Sequence, residues 1–460
     1  MDDAQLHDVL QKLLERITGL EQQAAQGQKI NAAVAQFLAG LEPKLFGTLH
    51  HQNATLKQTV NLIARNQPKS GPIRCVFLVH NISTWDALIG VYKAMASAPD
   101  FDPIVISLPH SYDHKTFSGE DVTHDALQKA EIPHLRFGMQ NSYEGLDILK
   151  ALAPDIIFRQ SQWDDDVLPA YATPELNFAR LCYITYGPVM VEIAGGNGLT
   201  FDQPYHRFCW RFFCLSEENL KLAKTTSILQ GRNTALTGYP KYDQLLAAGA
   251  ARQYWPIDTG KRNFRVLWTA HHGVKPDWLG FGMFPRIYRE MLEWTRAHPD
   301  IEVVLKPHPA LFESCAYGLM TQAEVDAFKN EWQALPNAAL VDGGDYGPLF
   351  AASDMMVSDG VGFFSEYQLF DKPLVYLDSR QHDKFNSEGM LALKGMYHAT
   401  SAPEAIAYVE HFKKGGEDNL KEARQTYIRE IMPFPGQSVS RVLDSIRAGL
   451  TEEGRIVTAK

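Results

Sequence analysis

Short apolar, β-branched runs separated by helical stretches recur in two blocks along the chain, and this rhythm constrains the fold more than any single residue. Ile73–Val79 follows the turn-forming Gln67–Pro72 and reads as a buried first strand. A helix is expected from about Trp85 to Ala98, then strands at Pro103–Leu108 and Pro154–Phe158. After Tyr254–Gly260 the alternation restarts. Phe264–Trp268, Glu302–Lys306, Ala339–Val341, Met355–Ser358 and Pro373–Leu377 read as strands, with helices near Phe284–Arg296, Gln322–Gln333, Tyr346–Ala352 and Phe364–Phe370. Apolar strands alternating with helices specify parallel sheets covered on both faces. The expected fold class is α/β: two facing, doubly wound domains, with ligands in the cleft at the carboxyl ends of their strands.

A length of 460 residues suits two such domains plus an extension. The expected boundaries are 1–70 for an N-terminal helical extension, 71–250 for an acceptor domain, 251–435 for a nucleotide-donor domain and 436–460 for a final helix and tail. In the extension, Leu6, Leu10, Leu13, Ile17 and Leu20 alternate four- and three-residue steps, the pattern of a coiled-coil seam. The pattern weakens at Ala24 and Gly27, then returns with Ile30, Val34, Phe37, Leu41 and Leu45, interrupted by Gly40 and Pro43. A homo-oligomer through this helix and a helical hairpin packed on its own domain are equal readings. A membrane-surface helix comes third, because the segment is not strongly basic.

Composition narrows the partners. A net charge of -10 speaks against a surface built to grip nucleic acid. Five cysteines (Cys75, Cys182, Cys209, Cys214, Cys315) form no CxxC pair and mostly sit in apolar runs, which points to buried free thiols and a reducing cytoplasm. The N-terminal residues lack a signal-peptide pattern, and no apolar run approaches the roughly 18–20 residues that span a bilayer. The expected location is cytoplasmic, with any membrane contact peripheral, at the inner face.

Three strand-end loops of the second block carry candidate chemistry. Lys306-Pro-His-Pro309 closes an apolar strand, so Lys306 supplies charge and His308 a hydrogen bond or proton to a phosphate at the sheet edge. Ser358-Asp-Gly-Val-Gly-Phe-Phe-Ser-Glu366 follows another strand. Gly360 and Gly362 allow close backbone approach, and Glu366 can accept from ribose hydroxyls. Trp268-Thr-Ala-His-His-Gly273 presents His271 and His272, for which direct ligand contact fits better than metal binding and a structural role for one of the pair fits equally well. In the first block, Cys182–Pro188 presents Thr185 and Tyr186 before Gly187. Thr237-Gly-Tyr-Pro-Lys-Tyr-Asp243 adds Lys241 and Asp243, the latter either capping the helix that follows it or touching the cleft. Asp164–Asp166 reads as a solvated loop rather than a cation site.

Taken in order, Tyr186-Gly187, Thr237–Asp243, Trp268-Thr-Ala-His271, Lys306–Pro309 and Ser358-Asp359 through Lys372-Pro373 resemble the CDP-glycerol:poly(glycerophosphate) glycerophosphotransferase family, the teichoic-acid-type polymerases and primases with capsule-related relatives, over about residues 73–430. The resemblance implies two Rossmann-like domains of the GT-B type. It also implies transfer of a glycerol-phosphate-like group from a CDP-activated donor to the hydroxyl of a glycan or lipid-linked acceptor in surface-polysaccharide synthesis, with release of CMP. It places His308 on the donor pyrophosphate and Asp359 and the loop after it, through Ser365, at the diphosphate. Glu366 then lies near the nucleotide, and neither cofactor nor metal is called for.

Two positions depart from the family. Tyr186 stands where the family has a histidine proposed as the base, and a phenol with a pKa of about 10 is a poor base at neutral pH. His271 and His272 are the alternatives. Val361-Gly362 replaces paired serines, so backbone N–H groups would take over from hydroxyls. A GT-B glycosyltransferase using a nucleotide sugar, and a non-catalytic binding or scaffold protein organised by the N-terminal helix, are the competing readings.

Overall fold

The computed structural model describes residues 3–67, 69–111, 116–192, 198–275, 279–316 and 318–455, and among these all side chains except those at 3–6, 42–46, 50 and 198–199. It divides into two units between Ala64 and Arg65. The first is one helix, α1 (Asp3–Arg65), 63 residues and about 95 Å long. It runs unbroken through Gly40 and Pro43, which corrects the hairpin reading. The stretch between the two apolar series, Glu21–Lys29, is rich in Gln and Ala, good helix formers that outweigh Gly27. Leu10, Leu13, Ile17, Leu20, Ile30, Val34, Phe37 and Leu41 are all exposed. The side chains of Leu6 and Leu45 lie outside the described residues.

The second unit contains two sheets, parallel throughout. The first joins β1 (Ile73–Val79), β2 (Phe101–Ser107), β3 (His134–Arg136), β4 (Ile156–Arg159), β5 (Arg180–Ile184), β6 (Cys209–Cys214) and β7 (Thr234–Leu236) in the order β3-β2-β1-β4-β5-β6-β7. The second joins β8 (Phe264–Ala270), β9 (Ile301–Pro307), β10 (Ala338–Leu340), β11 (Met355–Ser358), β12 (Leu374–Leu377) and β13 (Tyr397–Ala399) in the order β10-β9-β8-β11-β12-β13. Each sheet reverses direction of winding once, between β1 and β4 and between β8 and β11, and such a switch opens a crevice at the strand carboxyl ends. β1, β4, β5, β9 and β11 are almost wholly buried, as strands covered on both faces must be.

The expected helix from Trp85 begins instead as a 3-10 turn, Ile82–Ala87, whose Asn81 side chain accepts the Ser83 N–H at 3.0 Å; the helix proper is Ile89–Ser97. Asp86 is thereby left on the strand-end loop. The last helix, Ser438–Glu452, returns to the first sheet's domain. Arg447 pairs with Asp100 (2.7 and 3.0 Å), Arg455 with Asp155 (3.0 and 3.1 Å), and Glu453 accepts from Arg180 and Trp210. All five cysteines are buried free thiols. No helix among the described residues is long and apolar enough to cross a membrane.

Candidate active site at the facing strand ends

At the edge of the second sheet, β8 and β9 deliver three imidazoles to one place. The rings of His272 and His308 stack with centroids 3.8 Å apart, and His271 lies 4.5 Å from His272 and 5.9 Å from His308. The prolines on either side of His308 restrict its backbone, and its N–H donates to Ala270 O at 2.9 Å. Its Nδ1 accepts the Ala310 N–H at 3.1 Å, so the proton of the neutral ring sits on Nε2. Likewise Nδ1 of His271 accepts the Gly273 N–H at 3.0 Å.

Burial drives all three rings neutral. It lowers His271 to about 3, with help from His308, and His272 to about 2, with help from both neighbours. His308, on the rim, is lowered to about 4 by desolvation and then by Lys306. Lys306 is itself buried, donating to Gly343 O at 3.3 Å with its ammonium 5.7 Å from the Tyr346 ring centre.

The loop after β11 is held rigidly. Asp359 is fully buried and each carboxylate oxygen accepts a backbone N–H, from His271 at 2.6 Å and from Met283 at 2.5 Å. Burial pushes this carboxyl up to about 7 against those two hydrogen bonds. Its side chain braces the histidine loop instead of reaching toward a diphosphate, which corrects the sequence expectation. The same correction applies to two serines. Ser358 Oγ bonds Gly360 within its own loop (3.1 and 3.3 Å), and the Ser365 hydroxyl is turned into the core, bonded to Tyr427. What this loop offers a ligand is backbone at Gly360 and Gly362, where open space surrounds the Gly362 Cα.

Residues assigned to opposite walls meet in one buried network. Lys241 Nζ lies 2.8 Å from Glu366 Oε1 and 2.9 Å from Asp86 Oδ2, and Tyr346 donates to Glu366 Oε2 at 2.8 Å. The Tyr346 ring is within 5.6 Å of the Lys241 ammonium as well as near Lys306. Although burial works against its charge, Glu366, Tyr346 and Asp86 hold Lys241 well above the usual lysine value. Because Asp86 follows β1 and Glu366 follows β11, the two switch points face each other across this network.

On the first domain's side, the other expected acceptor residues are placed differently. Thr185 Oγ1 closes its own turn by donating to Gly187 O at 2.7 Å. Tyr186 is 40% exposed, and desolvation together with Asp166 raises its phenol further above 10, so it gains no basicity from its surroundings. Asp243 accepts from Gly436 N (2.7 Å) and Ser438 N (3.1 Å), capping the last helix of the chain and not the one that follows it in sequence. Asp164 is held by buried Arg159 at 2.8 Å. Among the described residues no group of three His, Cys, Asp or Glu side chains is arranged to hold a metal ion.

Sequence reasoning missed Asp86, Tyr346, His80 and His110. His80 directly ends β1 and His110 lies shortly after β2, so the strand-end rule applied to His271 and His308 would have found them. Their Nδ1 atoms lie 2.9 Å apart.

No protein-family model matches the chain, and no curated protein sequence matches it. Solved structures do resemble it. A variant of the wall teichoic acid polymerase TagF superposes with a TM-score of 0.56 at 12% identity, covering 88% of this chain and 98% of that one. TagF soaked with CDPG gives 0.53 at 13%, covering 88% and 99%. The UDP-GlcNAc 2-epimerase of Neisseria meningitidis, bound to UDP-GlcNAc, gives 0.55 at 12%, covering 83% and 100%. With two Rossmann-like domains whose switch points face each other, the chain has the GT-B fold that these proteins share.

Proposed function

We propose that the chain is a transferase of surface-polysaccharide assembly that moves a glycerol-phosphate-like group from a CDP-activated donor to an acceptor hydroxyl and releases CMP. The observation that carries this reading is the His272–His308 stack beside Lys306, with Nδ1 of His308 occupied so that an Nε2–H is available to an anion. In the reaction, the acceptor oxygen attacks the phosphorus bearing the glycerol, the bond from that phosphorus to the CMP oxygen breaks, and the hydroxyl proton passes to a base. His308 donates a hydrogen bond to the departing phosphate, Lys306 offsets its charge, and Gly360 and Gly362 let the diphosphate approach the backbone. With His308 near 4, the free enzyme offers a neutral N–H donor there.

A nucleotide-sugar donor is the second reading, favoured by the fold shared with a protein bound to UDP-GlcNAc. Incubating the enzyme separately with CDP-glycerol and with UDP- and CDP-sugars, each with a glycan acceptor, tests the choice. CMP release with phosphorus-containing product supports the first reading; sugar transfer with no reaction of CDP-glycerol overturns it. The location we propose is cytoplasmic, with the acceptor reached at the inner membrane face, and the exposed apolar series of α1 suits self-association.

A further inference from the structure

From His7 to Leu41 every residue of α1 except Gly27 is exposed, so no described part of the chain covers the apolar side of this helix. A long apolar strip left in water calls for a partner. One heptad frame runs through the stretch without a skip. It sets Leu10, Ile17 and Leu38 at a, and Leu13, Leu20, Val34 and Leu41 at d. Ala24 and Asn31 at a and Gly27 at d fill the middle, so two apolar ends flank a narrow polar centre. Asp8 and Lys12, which pair at 2.8 Å, fall at f and c on the outer face. Further along, the same frame puts Thr48, Gln52, Thr55 and Thr59 on the seam, and the Thr55 and Thr59 hydroxyls donate to carbonyls of their own helix at 2.9 Å. The apolar drive for pairing therefore fades before the second unit begins at Arg65.

Two copies can join these seams in two orientations, and Asn31 separates them. In a parallel, in-register pair each a residue meets its own counterpart, so one Asn31 amide donates to the oxygen of the other. In an antiparallel pair a meets d. The alignment that joins both apolar ends sets Leu10 against Leu41, Leu13 against Leu38 and Ile17 against Val34, and it drives each Asn31 against Leu20 with no polar partner. A parallel pair slipped by one heptad fails likewise, because Asn31 then meets Ala24 or Leu38. Charge agrees with the in-register choice. There Arg16 at g lies beside Glu21 at e of the second copy, twice over, whereas the antiparallel pair sets Glu21 beside Gln28.

We propose that α1 pairs with α1 of a second copy of this chain as a parallel, in-register, two-stranded coiled coil over about residues 10–41, with Asn31 fixing orientation and register. The assignment rests on the self-association reading of α1 and is independent of the donor. It ties both copies of the unit that begins at Arg65 to the same end of one stalk. A surface or polymer carrying many acceptors is then engaged twice, the second time as an intramolecular event.

The test uses the full chain, whose five native cysteines are buried. Sedimentation of the wild type should give twice the mass of one chain. In a thiol–disulfide buffer Leu13→Cys should cross-link to itself almost completely. After exchange with a size-tagged Leu38→Cys chain under reducing conditions, oxidation should give no link between the two kinds of chain. A wild type that sediments as a monomer sinks the self-association reading and this proposal with it. A dimer in which Leu13→Cys links to Leu38→Cys and not to itself leaves self-association standing and overturns the parallel arrangement, and a trimer or tetramer overturns the two-stranded one. Asn31→Leu should raise the melting temperature of the paired helix while admitting the link between Leu13→Cys and Leu38→Cys, or species heavier than a dimer. A pure parallel dimer in that variant removes Asn31 from its role.

Discussion

Lys241 Nζ in the first domain and Glu366 Oε1 in the second lie 2.8 Å apart, with Glu366 almost fully buried. This pair crosses the cleft where the two winding reversals meet, and Asp86 and Tyr346 complete it. Removing one partner strands a charge: Lys241→Met should cost about 3–5 kcal/mol of stability, whereas Lys241→Met with Glu366→Gln should recover much of it. Urea unfolding of the two single variants and the double closes the cycle. Additive single effects would show the pair to be uncoupled.

His308→Ala should weaken CDP-glycerol binding by about 10–100-fold, the worth of a hydrogen bond to a charged group, and His272→Phe, which keeps a stacked ring against His308, by much less. Titration calorimetry measures both. A diphosphate bound at His308 would raise its pKa from about 4, so the complex would hold more protons than the free protein. Affinity should therefore rise as pH falls through the pKa of the complex toward 4, with proton uptake visible in buffers of different ionisation enthalpy.

Asp359 supplies a second pH signature. Its carboxyl is near 7 in the folded protein against an ordinary 3.8, so the folded state holds the extra proton between those values. The associated stability is complete below pH 3.8 and lost as pH rises through about 7, on the order of 4 kcal/mol in all. Asp359→Asn should remove that slope from the difference between the two proteins' stability profiles. It should also loosen the His271 loop, because an amide nitrogen cannot accept the second backbone N–H.

Along α1, Leu13 and Ile17 are both about half exposed on a seam of heptad spacing. Leu13→Glu with Ile17→Glu should lower the sedimentation mass of the intact chain if that face pairs with a second copy, without changing the melting of the unit that begins at Arg65. Unchanged mass would assign the face elsewhere.

Most long strands were legible because each is an apolar run bounded by turn-forming or polar residues, whereas Cys209–Cys214, interrupted by Arg211, was not read. Ile73–Val79 and Met355–Ser358 were read to the residue. The short edge strands His134–Arg136, Thr234–Leu236 and Tyr397–Ala399 were not, since three residues set no period and their pairing comes from the neighbouring strand. In the site, the imidazoles of His271, His272 and His308 were found because they end recognisable strands. Where a polar side chain points could not be read. Asp359 and Ser365 occupy loops at the cleft, yet their atoms turn to backbone N–H groups and to Tyr427, because buried polar groups must be satisfied by whatever the tertiary fold brings near. Lys241 and Glu366 lie far apart in sequence and were assigned to opposite walls for want of any local signal joining them.

The return of Ser438–Glu452 to the first domain has a consequence for biosynthesis. Asp155 waits for Arg455, made 300 residues later, and Asp100 and Arg180 wait for Arg447 and Glu453. Domains usually mature in the order in which they leave the ribosome, but here the domain translated earlier is finished last. A premature stop near residue 437 would leave every strand of the second domain in place and injure the first domain instead.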